Sequence, residues 1–307
     1  MKKIVIFILI ILISFSLKIK LTAYGSLYLP TRAGKGMPGT YQLKATVPSF
    51  YQRSGVKAML YIPYFKAKRA GKSPLIIYFH GTTRNPYAFM RPWTMKHFAF
   101  LNQFTLLSVQ NIWGLDTRNR DTARAVMDSM DAAVQITKKL IKLNLVSPNL
   151  VFSIGFSSGG FAALCSAIYR PDIFRGFASI KGNFYKDVAE IVLKQGKNVR
   201  QSLGLRNTRT VKNLSGFIAL GGVRDSSRVR RQTSKAFLYL NRLNVKYMFK
   251  KYNNEGHYIS RANFYGFWNM VRKIMNNKQP RYYNNEDETQ RRNAEAVRQY
   301  KPYNYRR

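Results

Sequence analysis

The sequence predicts an α/β protein: a mostly parallel central sheet with helices on both faces, formed by one domain. Three observations carry this. After Pro74, the residues Leu75, Ile76, Ile77, Tyr78 and Phe79 make a continuous apolar run of the kind buried on both faces of a parallel sheet. Strand-like apolar segments then alternate with helix-like ones as far as residue 275. At 307 residues and 46% hydrophobic content, the chain can bury one sizeable core without dividing.

The first stretch differs in kind from the rest. Lys2 and Lys3 precede an uninterrupted apolar run over residues 4–13, and small residues follow at Ala23 and Gly25. The run falls short of the roughly 20 apolar residues of a membrane span, so residues 1–25 read as an export signal. Lys18 and Lys20 keep open the alternative of an uncleaved N-terminal anchor. Either reading predicts a secreted, periplasmic or cell-envelope protein whose body is residues 26–275.

Residues 40–50 and 57–65 alternate or run apolar with Val, Ile, Tyr and Phe and end at turns, which predicts two opening strands. Leu75 to Phe79 is an inner strand that ends at His80-Gly81, and residues 104–109 form the next. Over residues 121–143 the spacing of Ala125, Met127, Met130, Ala133, Val134, Ile136 and Leu140 is helical. Residues 150–154 predict a strand, 155–160 a sharp turn and 161–168 a helix. A sixth strand follows at 176–180. Residues 183–213 are polar, basic and partly helical, with no place in a minimal alternating sheet, and predict a small insertion, or lid, after the sixth strand. A strand at 217–221, a helix at 227–243, a strand at 245–252 and a helix at 262–275 complete the body. Residues 276–307, rich in Asn, Gln, Arg and Tyr and poor in aliphatics, predict a disordered tail.

The formal net charge is +39. Removal of residues 1–25 would leave 48 basic and 13 acidic side chains, and residues 276–307 hold only eight basic and four acidic ones, so the excess belongs to the folded body. Such a field predicts nonspecific association with anionic polymers or membrane surfaces. No recognition helix, zinc-finger spacing or aromatic RNA-binding motif accompanies it, so specific nucleic-acid readout is not expected. The single cysteine, Cys165, excludes an intrachain disulfide and sits in an apolar run that predicts a core role. With no cysteine pair, no close histidine pair and no Gly-rich dinucleotide loop, neither a metal nor a cofactor is expected.

Chemistry concentrates at Gly155-Phe156-Ser157-Ser158-Gly159, a G-x-S-x-G pattern lying between a strand and a helix. At such an elbow the serine takes a strained conformation and the glycines let strand and helix approach, so the hydroxyl stands exposed at the end of the sheet. A serine nucleophile needs a base. Of the three histidines, His80 shapes a turn and His97 sits on a helix among apolar residues, which leaves His257 after the last strand. Of the acids outside the tail, Asp116, Asp121, Asp128, Asp131 and Asp172 lie before the late strands or on helix surfaces, and Asp187 and Glu190 lie in the insertion. Asp225, at the end of a strand, is the first choice as orienting acid. Glu255, close to His257 in a loop, is the second.

These elements resemble the α/β-hydrolases, and within them secreted esterases of the feruloyl esterase and polyhydroxybutyrate depolymerase type. The resemblance covers roughly residues 57–275 and rests on Leu60-Tyr61-Ile62-Pro63, on the Pro74 strand with its His80-Gly81, on the elbow, on Gly222-Val223-Arg224-Asp225 and on Gly256-His257. The chain order Ser157, Asp225, His257 is that of the fold. The resemblance implies ester hydrolysis through an acyl-enzyme, with an oxyanion hole from the backbone N–H groups of Ser158 and Thr82. Peptide or other acyl hydrolysis uses the same constellation, and a non-catalytic basic scaffold that binds anionic surfaces is the reading from a different class. Arg224 and Arg228 flank the acid and are able to compete with His257 for it. Tyr87, Phe89, Trp93 and Trp113 follow strand ends, where ligands bind in parallel sheets; they are expected either to line the substrate pocket or to pack against the insertion.

Overall fold

A computed structural model describes residues 27–47, 55–64, 73–83, 85, 87–113, 122–205 and 209–278. Nine strands form one sheet: β1 (Leu27–Tyr28), β2 (Gly39–Ala45), β3 (Val56–Ile62), β4 (Leu75–Phe79), β5 (Thr105–Val109), β6 (Val151–Phe156), β7 (Gly176–Ile180), β8 (Ser215–Gly221) and β9 (Lys246–Tyr252). Their order is β1-β2-β3-β5-β4-β6-β7-β8-β9. From β5 to β9 every pairing is parallel, whereas β1, β2 and β3 pair antiparallel and β3 meets β5 antiparallel. The helices are α1 (Thr31–Gly34, one turn), α2 (Trp93–Asn102), α3 (Thr122–Lys142), α4 (Ser158–Tyr169), α5 (Lys186–Ser202), α6 (Ser227–Arg242) and α7 (Arg261–Met275). The eight expected strands are present. The ninth, β1, is two residues long and carries no period for a sequence to display.

Successive side chains of a strand point to opposite faces, and here they feed two cores. Leu75, Ile77 and Leu107 join the core under α3, α4, α5 and α6, while Ile76 and Leu106 join the core under α2 and α7. Every residue of α4 is buried, as its Gly- and Ala-rich sequence allows. Cys165 lies in that helix with its thiol pushed up by burial, which fits a packing role.

Residues 183–213 require a correction. Their helix α5 buries Ala189, Val192, Leu193 and Gly196, and a Cβ on Gly196 would lie 2.4 Å from the Tyr169 carbonyl of α4. It is therefore the crossover helix between the parallel strands β7 and β8 rather than a lid, and its polar outer face disguised it. The expected signal or anchor, residues 1–25, and residues 279–307 of the expected tail lie outside the described residues.

On α3, burial pushes the Asp131 carboxyl up to about 6, with Asp128 adding to the effect and Tyr169, Arg170 and Lys138 opposing it. Because the folded value exceeds the unfolded one, folded protein binds more protons between about pH 4 and 6, and stability falls as pH rises through that window. Asp131→Asn is expected to raise Tm at pH 8, by at most about 3 kcal/mol of stability, and to leave it near wild type at pH 4. Thermal unfolding at both pH values checks this.

Candidate active site

Strand β6 runs into Ser157, which adopts φ 54° and ψ −121°, a strained region for a residue with a side chain. Close approach of strand and helix enforces it. A Cβ on Gly155 would lie 2.0 Å from the Gly159 carbonyl oxygen, and one on Gly159 would lie 2.1 Å from that of Phe79. The strained residue is held from several sides, since its N–H donates to Ile180 O at 3.0 Å and its own carbonyl accepts from Gly160 at 3.0 Å and Asn183 at 3.1 Å.

The structure brings together three residues that the sequence separates widely. Ser157 Oγ lies 3.0 Å from His257 Nε2, and His257 Nδ1 lies 2.8 Å from Asp225 Oδ1. With Nδ1–H donated to the carboxylate, Nε2 is left as the acceptor for the serine hydroxyl. Each residue sits just past the carboxyl end of a parallel strand: Ser157 after β6, Asp225 after β8 and His257 in the loop after β9. Asp225 is buried, and its Oδ1 also accepts from the Ser226 N–H at 2.7 Å. Gly221 makes room for it, because a Cβ there would strike the Asp225 carboxylate, while a Cβ on Gly222 would strike the Asn253 carbonyl. Among the described residues, neither Arg224 nor Arg228 pairs with Asp225. Glu255 points elsewhere, to Lys181.

The His80-Gly81 turn runs alongside Ser157, with a Cβ on Gly81 placed 3.4 Å from Ser157 Cβ. Thr82 follows on the exposed side, and Ser158 opens α4, where the helix dipole favours a developing anion. One side chain ties the two segments. Asn111, fully buried after β5, donates from Nδ2 to His80 O at 2.9 Å and to Ser158 Oγ at 3.3 Å. The Asn111 N–H also donates to His80 Nε2 at 3.0 Å, so that nitrogen is unprotonated and Nδ1–H is left to donate to Gly81 O at 2.8 Å. Burial lowers the His80 pKa, which favours the neutral ring this pattern requires. On the expectation that the Ser158 and Thr82 N–H groups receive the oxyanion, Asn111→Ala is expected to lower kcat about tenfold or more while KM changes little. Steady-state kinetics on a small ester separates the two parameters.

The aromatic residues divide. Phe89 and Trp113 are buried in the two cores and are packing residues, a correction to the pocket expectation. Trp113 meets Phe161 and Tyr185 edge-on at 5.4 Å, so it packs against the start of the 183–213 segment. A large ring after a strand end fills the gap between sheet and helix as readily as it lines a pocket. Tyr87 is exposed, with Lys57 Nζ over its ring at 5.3 Å. Trp93 begins α2, and its side chain lies outside the described residues.

Like Asn111, two further residues at the site, Asn183 and Lys181, carried no motif. Asn183 Oδ1 lies 3.3 Å from Ser157 Oγ, and its Nδ2 donates to Gln232 on α6 at 2.7 Å. Lys181, fully buried between β7 and Gly182, donates to Glu255 Oε2 at 2.8 Å and to the Tyr258 carbonyl at 2.5 Å. Burial raises the Glu255 carboxyl, but hydrogen bonds from Lys181 and Ser260 outweigh it and hold the group below its ordinary value. The one signal in the sequence is a lysine directly after a mostly apolar strand, Gly176–Ile180. Among the described residues no His, Cys, Asp and Glu side chains gather into a metal site.

Comparison with known proteins adds a family match. Residues 122–276, from α3 to the end of α7, match the model of the prolyl oligopeptidase family. A 71-residue stretch is 39% identical to NocK of Nocardia uniformis subsp. tsuyamanensis, which carries a provisional description as an esterase; it spans 23% of this chain and only 18% of NocK. Among solved structures, MGS-M1, an alpha/beta hydrolase enzyme from a Medee basin deep-sea metagenome library, superposes with a TM-score of 0.57 at 13% identity, covering 78% of this chain and 100% of that one. A bacterial heroin esterase superposes with a TM-score of 0.55 at 14% identity, covering 79% and 85%. At such identities the likeness is one of fold, the α/β-hydrolase fold. The finer likeness to feruloyl esterases and polyhydroxybutyrate depolymerases rests on the motifs alone.

Proposed function

Because the chain belongs to the prolyl oligopeptidase family, we propose that it is a serine hydrolase that cleaves carboxylic esters, with Ser157 as nucleophile, His257 as base and Asp225 as the orienting acid. The observation that carries this reading is the hydrogen-bond chain Ser157–His257–Asp225, at 3.0 and 2.8 Å. His257 Nε2 takes the serine proton as Oγ attacks the ester carbonyl. The buried Asp225 carboxylate stabilises the imidazolium, and the Ser158 and Thr82 N–H groups receive the oxyanion. The imidazolium then protonates the departing alcohol. Water, deprotonated by His257, releases the acid from Ser157.

Peptide hydrolysis is the second reading, favoured by the family match over residues 122–276. The esterase descriptions of NocK and the heroin esterase support the first. Paired assays decide between them. Purified protein is expected to hydrolyse p-nitrophenyl acetate and butyrate with kcat/KM at least about 10²-fold above that on acyl-prolyl p-nitroanilides. The reverse ranking would establish a peptidase. The same proposal places the enzyme outside the cytoplasm, on the strength of Lys2, Lys3 and the apolar run over residues 4–13. A cell-fractionation experiment that recovers the protein only from the cytoplasm would overturn that part.

A further inference from the structure

Among the described residues the surface charge is almost of one sign, because most of the acids are buried or paired. Seven acidic residues lie in the described part: Asp128, Asp131, Asp172, Asp187, Glu190, Asp225 and Glu255, and of these only Asp187 is fully exposed. Asp172, Glu190, Asp225 and Glu255 are engaged by Arg170, Arg242, His257 and Lys181.

Helix α6 concentrates the uncompensated charge. Its buried face carries Val229, Thr233, Ala236, Phe237 and Leu240, and its exposed face aligns Arg228, Arg231, Lys235, Leu238 and Arg242 at helical spacing. The helix contains no acid. Arg242 pairs with Glu190, and Arg230 turns inward to the Gly222 carbonyl at 3.2 Å. Arg228, Arg231 and Lys235 have no carboxylate partner among the described residues.

An ordinary solvated helix face interleaves both signs. This one places like charges three and four residues apart, which destabilises a helix by about 0.2–0.5 kcal/mol per pair. It also sets arginines in the first turns, against the helix dipole. Local stability disfavours the stripe, and such violations concentrate where a ligand compensates them.

Its position supplies the rest of the argument. The helix begins two residues after Asp225, and Gln232, next to Arg231, is bonded to Asn183 beside the nucleophile. From Arg228 to Lys235 the stripe extends about 10 Å away from the site. Phe237 packs the helix onto Tyr247 and Phe249 of β9, whose Lys246, Lys250 and Lys251 are exposed at the sheet edge.

We propose that the exposed face of α6 is a binding track for a linear anionic polysaccharide, which presents an ester substituent to Ser157. The substrate part of this proposal rests on the esterase reading above. The stripe offers no aromatic ring for stacking bases, and Leu238 is its only large apolar residue, too little for insertion into a lipid interface. A carboxylated or sulfated sugar chain needs only charge and the forked donors of arginine.

The test uses the full chain, with polygalacturonate as ligand and O-acetylated polygalacturonate as substrate. Arg228→Glu/Arg231→Glu/Lys235→Glu is compared with Arg32→Glu/Lys35→Glu/Lys44→Glu, which makes the same change of charge at exposed positions near the opposite sheet edge. Wild-type binding is expected to weaken as NaCl rises from about 0.05 to about 0.5 M. The α6 variant is expected to bind at least about tenfold more weakly, with the control within about threefold of wild type. Acetate release from the polymer is expected to fall with binding, while p-nitrophenyl acetate turnover stays unchanged in both variants. Equal loss in the two variants, or none in the α6 variant, would overturn the track. Tighter binding of duplex DNA or anionic vesicles through the same residues would overturn the polysaccharide assignment. Polymer binding through α6 by a protein that hydrolyses no ester would overturn the esterase reading and keep the track.

Discussion

Replacing Ser157 with alanine is expected to lower kcat on p-nitrophenyl butyrate by about four to six orders of magnitude, with KM within a few-fold of wild type. In the proposed mechanism this hydroxyl forms the acyl bond, and it contributes little to ground-state binding. The proposed oxyanion hole at Ser158 and Thr82 is untouched by this substitution and would still polarise the carbonyl for direct attack by water, so the residual rate is expected to stay above the uncatalysed one. Tm is expected to change by only a few degrees, since alanine keeps the Cβ and the backbone contacts that hold the elbow. A large fall in Tm would mean that the lost activity reports unfolding.

Lys181→Met is the second large effect, and it acts on both stability and catalysis. The substitution removes a cation that is itself fully buried and leaves the mostly buried Glu255 carboxylate without its strongest partner. Breaking a buried pair from one side destabilises by roughly 3–5 kcal/mol, and the lower end applies here because Glu255 retains some access to water. Lys181 also anchors the Tyr258 carbonyl, so its two contacts bracket His257. Loosening that loop by about 1 Å is expected to lower kcat by roughly 10²-fold. Glu255 has a depressed folded pKa, so its contribution is present above the ordinary carboxylate range and is lost as pH falls through the folded value. The Tm difference between wild type and variant is therefore expected at pH 7 and to shrink below about pH 4. Lys181→Met/Glu255→Met, which removes both charges, is expected to regain part of the stability lost in the single variant.

The elements with a strong period were the most legible. The apolar run of β4, the helical spacing of α3 and the strand–turn–helix around Gly155 and Gly159 all follow from local pattern, and the structure places each within a few residues of its expected bounds. His257 and Asp225 emerged because histidines and acids are so few that elimination narrows them. The polar helix α5 misled, since an amphipathic crossover helix and an exposed insertion have similar composition, and only burial of Ala189, Val192 and Leu193 tells them apart. Phe89 and Trp113 misled for the converse reason, because hydrophobicity does not say whether a ring faces a core or a pocket. Asn111, Asn183 and Lys181 stayed hidden because their roles depend on partners between 26 and 77 residues away in sequence. Polar residues with long-range partners have no periodicity to read. The excess of positive charge over the folded body was visible in the sequence, whereas its alignment on one face of α6, next to Asp225 and Asn183, shows only in the structure.

The most direct test of the account is labelling of the purified protein with a fluorophosphonate probe, followed by mass spectrometry of the modified peptide. Stoichiometric labelling at Ser157, abolished in Ser157→Ala, is the predicted result and would establish that His257 and Asp225 activate this hydroxyl. A folded protein that remains unlabelled, or one labelled at another serine, would contradict the assignment of Ser157 as nucleophile.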